Sequence, residues 1–343
     1  MAYTDIDKPS DYFNTKLYTG NGGTQSITGV GFQPDLNWTK GRNVCTFHML
    51  TDAVRGVTKA IQSNTSTAEQ TFASGLTSFN SDGFTAGNSN DINGNYNYVS
   101  WNWKANGTGS ANTDGTISST VSANTTSGFS IVSWTGNGSA GATVGHGLGS
   151  TPKMIIVKRR NTAAQWNVYH ESLGNTGALY LNDTRTFNVV AGFWNNTSPN
   201  STTFTLGTDA AGNASGDTYI AYCFAEKKGF SKFGSYVGNG NADGTFVYTG
   251  FKPAWVMIKA SSTAQSWQMS DNKRDTFNAV DHRLRPNESG AESTSPEWID
   301  FCSNGFKLRN NDVAWNGSGQ TYIFMAFAEN PLVGTNNIPA TAR

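Results

Sequence analysis

Short runs in which apolar and polar positions alternate fill most of the chain, and four landmarks recur among them in the same order three times. The first is an aromatic pair leading into a Gly-Asn-Gly turn: Phe13 with Tyr18 and Gly20-Asn21-Gly22, Phe129 with Trp134 and Gly136-Asn137-Gly138, Phe230 with Tyr236 and Gly238-Asn239-Gly240. The second is a proline followed six residues later by a lysine, at Pro34 and Lys40, Pro152 and Lys158, Pro253 and Lys259. Between them stand runs such as Met154-Ile155-Ile156-Val157 and Trp255-Val256-Met257-Ile258, with the β-branched and aromatic content of a sandwich-core strand. A proline at the strand entry removes no ladder hydrogen bond. The third landmark is a turn plus Phe, at Ser81-Asp82-Gly83-Phe84, Ser303-Asn304-Gly305-Phe306 and, more loosely, Thr203-Phe204. The fourth is a strong strand, Tyr98 to Trp103, Tyr219 to Phe224 and Tyr322 to Phe327.

Order and spacing agree, because the proline-to-tyrosine separations are 64, 67 and 69 residues. Several short strands per copy, divided by Gly, Asn, Asp and Ser clusters, predict an all-β chain of three tandem β-sandwich or jelly-roll-like repeats of about 100 residues. The predicted boundaries are 1–104, 129–227 and 228–333 for the repeats, 105–128 for a Gly/Ser/Thr/Asn-rich linker and 334–343 for a C-terminal tail. That linker composition suits a flexible tether, so the first repeat is expected to pivot, while the short Ala225 to Phe230 joint holds the other two as a rigid pair. Leu50, Val54, Val57 and Ile61 have helical spacing, but the matching stretch of the second copy carries Gly174 and Gly177. A strand and loop are expected there, with at most one helical turn.

Composition sharpens this picture. Charged residues make up 14% of the chain, with 24 basic and 24 acidic, against about 25% in ordinary soluble domains. Without a basic stripe, neither nucleic acid nor an anionic membrane is an expected partner. So sparse a charge suits a subunit in an assembly better than a free monomer. The chain shows no signal-like start and no apolar run of about 18 residues, so neither export nor membrane insertion is expected. Three scattered cysteines, Cys45, Cys223 and Cys302, fit reduced thiols and synthesis in a cytoplasm rather than disulfides or a zinc site.

Candidate chemistry adds little. Gly136-Asn-Gly138-Ser-Ala-Gly141 matches a dinucleotide fingerprint without the helix it needs, and Asn239 to Gly244 resembles half a calcium loop whose twelfth position is Gly250. His48, His146, His170 and His282 are scattered and read as structural or exposed. Asp271, Asp275, Asp281, Glu288, Glu292, Glu297 and Asp300 form the one acidic concentration, and with Arg274, Arg283 and Arg285 among them they read as solvated ion pairs on a loop. No catalytic residue, metal site or cofactor is therefore expected, and the chain reads as a non-enzyme. Most tryptophans fall at repeat-matched aromatic positions and read as core. Trp194 and Trp315 have no aromatic counterpart and are the candidate exposed binding residues.

Asp11-Tyr-Phe-Asn-Thr-Lys-Leu-Tyr-Thr-Gly-Asn-Gly22, His48-Met-Leu-Thr-Asp-Ala-Val-Arg-Gly-Val-Thr-Lys59, Ser78 to Phe84, Gly145-His-Gly-Leu-Gly149 and Tyr219 to Glu226 together resemble a repeat family of virion proteins from marine tailed bacteriophages, including phages of cyanobacteria. The resemblance runs over nearly the whole chain. It implies a particle component, made in the host cytoplasm and located in the virion: a tail fibre or tail-associated adhesin that contacts a host surface glycan or protein. A capsid decoration or tail structural subunit without host contact, and a surface-glycan depolymerase, are the alternatives. Other virion proteins and further copies of the chain are the expected partners, with a trimer expected by analogy with fibres.

Overall fold

Each proline-to-lysine run forms a strand, and in every third of the chain the same partners flank it. The computed structural model describes residues 4–334, with the side chains of 295–297 left aside; the tail expected at 334–343 lies outside them apart from Gly334. In the first unit the strands stand in the order Phe13–Thr19, Asn97–Trp103, Leu36–Gly41, Met49–Asp52. The second unit repeats this order with Phe129–Thr135, Thr218–Phe224, Met154–Arg159 and Asn167–His170, and the third with Ser231–Val237, Thr321–Pro331, Phe251–Ala260 and Gln268–Asp271. Registers correspond as well: Trp103 pairs with Leu36, Phe224 with Met154 and Phe327 with Trp255. The fold is all-β and antiparallel, and its α-helices among the described residues are single turns at Asn90–Asn93, Ala191–Trp194 and Ala210–Asn213.

These inner sheets are buried on both faces, which is why their strands read as near-continuous apolar runs instead of strict alternation. One face is covered by a smaller sheet of the same unit: Gln25–Thr28 with Gly83–Ala86 and Leu76–Asn80, then Ala142–Gly145 with Thr203–Leu206, then Phe246–Tyr248 with Gly305–Leu308, Ser293–Cys302 and Val280–Arg283. Between the sheets lie separate cores around Phe84, Phe204 and Phe306. The opposite faces of all three inner sheets meet in one shared core. At its centre Trp103, Phe224 and Phe327, one from each unit, form a triangle with ring centroids 6.4, 5.8 and 6.1 Å apart.

Backbone hydrogen bonds close the arrangement into a ring: Glu69 N–H donates to Arg160 O, Phe187 N–H to Ser261 O and Glu292 N–H to Arg42 O. The units are therefore not beads on a string, and the expected pivot of the first unit is corrected by its share in the common core. Residues 105–128 are likewise no free tether. Ser110–Asn112 and Ser119–Asn124 extend the second inner sheet beyond Phe129–Thr135, with Val121 opposite Val132. Ile117 and Val121 are buried, and the carboxylate of Asp35 anchors the segment's start by accepting from the N–H groups of Ala105 and Gly107. The helical spacing from Leu50 to Ile61 belongs to two strands and a turn, in which Leu50 and Ile61 are cross-strand partners.

Candidate functional site

The strand Met49–Asp52 and its counterparts end at corresponding positions, Asp52, His170 and Asp271, each opposite the entry of its proline-lysine strand. Each of these residues faces the next unit around the ring. Asp52 accepts from Arg55 Nε at 2.5 Å and from the Tyr222 hydroxyl of the second unit at 2.8 Å. Arg55 also donates to Leu50 O and to Glu69, and Arg160 of the second unit clamps Glu69 with Nε and Nη2 at 2.9 and 3.0 Å. The third unit repeats this against the first. Asp271 accepts from Arg274 at 2.6 Å and from the indole of Trp101 at 3.1 Å, while Glu292 accepts from Arg274 at 3.0 Å and from Arg42 at 2.8 Å.

At the third junction the corresponding positions hold His170, Leu173, Phe187, Ser261 and Met325. His170 Nδ1 accepts from Ser172 N–H, so Nε2 carries the proton and donates to Phe324 O at 3.2 Å. Burial drives its pKa down to about 4.

Every unit adds one buried lysine at its strand exit. Lys158 donates to Ala164 O and, across the junction, to Ser66 O of the first unit; Lys259 donates to Ala260 O and to Thr184 O of the second. Lys40 donates to Gly41 O, Val44 O and the Thr46 hydroxyl. Desolvation lowers each of the three to about 8, and no carboxylate lies in ion-pair contact with any of them among the described residues. The carbonyl groups take the place of water around the ammonium.

The remaining candidates are structural. Trp194 and Trp315, expected as exposed binding residues, are each 1% exposed. Trp194 ends the turn Ala191–Trp194; Asn195 and Asn196, at φ 51° and 50°, swing the chain away and leave the indole against Phe193 and Tyr169. Trp315 stacks on Trp298 at 5.7 Å. The acidic concentration is ion-paired but not solvated as a whole, because the side chains of Asp271 and Arg274 are fully buried. Asp275 pairs with His282 at 2.5 Å, Glu288 with Arg285 at 2.8 Å and Asp300 with Arg309 at 3.3 Å, whereas the Glu297 side chain lies outside the description. His48 accepts from the Trp38 indole at Nδ1, and burial next to the Lys40 charge holds its pKa well below the usual imidazole value. Among the described residues, no group of three or more His, Cys, Asp or Glu side chains is placed to hold a metal ion.

One set of residues is missing from the sequence reading. Asn93, Asn213 and Asn316, each buried, accept the N–H of the turn residue Asn21, Asn137 or Asn239 and donate back to carbonyls such as Gly23 O, Ser139 O and Asn241 O. The hydroxyls of Tyr98, Tyr219 and Tyr322 donate to Asn90 O, Ala210 O and Val313 O beside them. The available signal was an Asn five or six residues before the tyrosine in all three copies.

Residues 8–331 match the model of a family described as Domain of unknown function (DUF7483). No curated protein matches the chain.

Proposed function

The chain belongs to the DUF7483 family, and we propose that this member is a non-enzymatic structural protein of a tailed-bacteriophage particle, mounted as a tail fibre or tail-associated adhesin that contacts the host surface. The observation that carries this reading is the closed ring. Asp52, Arg55, Glu69, Arg160, Asp271, Arg274, Glu292 and Arg42 are the side chains with most chemical potential, and all are engaged in joining one unit to the next. The sequence resemblance to virion proteins of marine tailed phages supports the same reading. A ring welded through a common core, with short turns outside, suits a part that must stay rigid under load while its loops meet a partner.

The threefold-like arrangement favours capsid decoration as a second reading, since three corresponding faces around one axis match a partner of threefold symmetry. Locating the chain in a particle reconstruction separates the two. Purified protein is expected to bind host cells and to block infection; protein that does neither removes the adhesin role.

A further inference from the structure

The junction between the first and third units differs from the other two at the rim of the shared core. Thr15 pairs with Trp101, and the corresponding residues Ile131 and Phe233 fill this place in the second and third units. Lys273, two residues after Asp271, stands where the first unit has Val54 and the second Ser172. Filling is therefore incomplete here, and a cleft of about 280 Å³ opens, lined by Asn14, Thr15, Lys16, Leu17, Gly29 and Lys273.

Three properties of this cleft point to a ligand. Neither Lys16 nor Lys273 has a carboxylate in ion-pair contact among the described residues, and unlike the buried Lys40, Lys158 and Lys259, whose ammonium groups donate to backbone carbonyls, neither has an ammonium that donates a hydrogen bond there. Asp82, whose charge Lys16 helps to stabilise, accepts from the N–H groups of Gly29 and Gly31 at 2.9 and 2.6 Å and makes no ion pair with Lys16. The Thr15 hydroxyl is buried without a hydrogen-bond partner, in a residue 6% exposed; such an unmet group costs about 1–3 kcal/mol unless something satisfies it. The walls are also pre-formed. Gly29, at φ +80°, leaves room for the Lys16 ammonium, which a Cβ there would meet at 3.0 Å, and Asn14 is fixed by donating to Val30 O. Lys273 rides on the turn that the buried Asp271 holds by accepting from its N–H.

We infer that this cleft binds an acidic monosaccharide unit, a uronate, with its carboxylate between Lys16 and Lys273, a ring hydroxyl on Thr15 and an apolar ring face against Leu17. A bare oxyanion satisfies the lysines and can accept from Thr15, but it leaves the apolar Leu17 unused, which is why the sugar is chosen. The inference extends the host-contact reading and rests on it only for the biological source of the sugar, not for the chemistry of the cleft.

Titration calorimetry on the full chain with glucuronate, glucose and inorganic sulfate tests it. Saturable binding of glucuronate is expected, weakened about tenfold or more by Lys16→Gln or Lys273→Gln, with no binding of glucose and weaker binding of sulfate. Lys8→Gln, away from the cleft, serves as the charge control and is expected to bind as the parent does. Thr15→Val is expected to unfold at a higher temperature than the parent while binding glucuronate more weakly, a combination that damage to the fold does not produce. Absence of saturable glucuronate binding, equal affinity for sulfate, or indifference to both lysine substitutions overturns the inference. Host-cell binding is measured in parallel: cell binding that survives both substitutions leaves the adhesin reading standing without the cleft, and glucuronate binding without cell binding does the reverse.

Discussion

The junction between the first and second units and the junction between the second and third occupy corresponding places in the ring and are made from opposite chemistry. One buries Asp52, Arg55 and Glu69 against Arg160 and Tyr222; the other sets His170, Leu173 and Phe187 against Ser261 and Met325. Both close the same gap between the same strands. The difference shows that the backbone arrangement does not depend on the ion pairs: a neutral, largely apolar set at the same positions does the same work. What the charged set adds is dependence on Arg55, the cation shared by Asp52 and Glu69: removing it leaves the buried Asp52 without a cation.

The largest effect is expected from breaking the charged junction. Arg55→Leu should cost about 3–5 kcal/mol, read as a fall in the urea midpoint, because Asp52 stays buried without its cation. Transplanting the neutral junction, with Asp52→His, Arg55→Leu, Glu69→Phe, Arg160→Ser and Tyr222→Met together, should restore most of that loss. A single variant as stable as the parent, or a fivefold variant no better than the single one, would break the comparison.

The neutral junction has its own weak point in acid. His170 titrates at about 4 in the folded chain and near 6.5 when unfolded, so between these values the unfolded state holds the extra proton. Its contribution is complete above pH 6.5 and is lost as pH falls towards 4, to a limit of about 3 kcal/mol. His48, depressed in the same direction, adds to the loss. His170→Gln keeps an N–H donor for Phe324 O, and its stability should fall less steeply than the parent's from pH 6.5 to 4.

The smallest effect concerns the buried lysine that all three units share. Lys40, Lys158 and Lys259 lose their protons near pH 8 in the fold and near 10.5 outside it. The burial penalty is therefore constant below pH 8 and is relieved as pH rises above it, and these groups make stability increase between pH 8 and 9. Lys158→Met should reduce that slope by roughly a third, measured as the urea midpoint against pH.

Much of this was legible in the sequence because the landmarks are local. The proline-lysine runs, the Tyr-to-Phe strands and the turns announce the strands of each unit, and their repeat-matched aromatic positions identified Trp103, Phe224 and Phe327 as core. That these three rings touch each other was not legible. Periodicity reports which face of a strand is apolar, and an inner sheet covered by its neighbours reads the same as one covered by its own unit. Ile117 and Val121 hinted at a strand within 105–128, and Val121 does lie in Ser119–Asn124 while Ile117 makes an isolated bridge to Val144, but the surrounding Gly, Ser and Thr content weighed towards a tether. Trp194 and Trp315 were misjudged because lack of an aromatic counterpart says nothing about burial: their surroundings, Phe193 with Tyr169 and Trp298, are specific to their own units.

The stacked pair Phe13 and Phe327, 4.9 Å apart, joins the first strand of the ring to its last. During synthesis the Thr321–Pro331 strand leaves the ribosome after everything it must pair with. Until it arrives, the shared faces of the first two units have no third wall, and Ser231–Val237 and Phe251–Ala260 lack the strand that lies between them. Contacts of such sequence separation form slowly, so a chain cut short before Thr321 is expected to present its widest apolar surface to solvent, and the completed chain to hide it in a single late step.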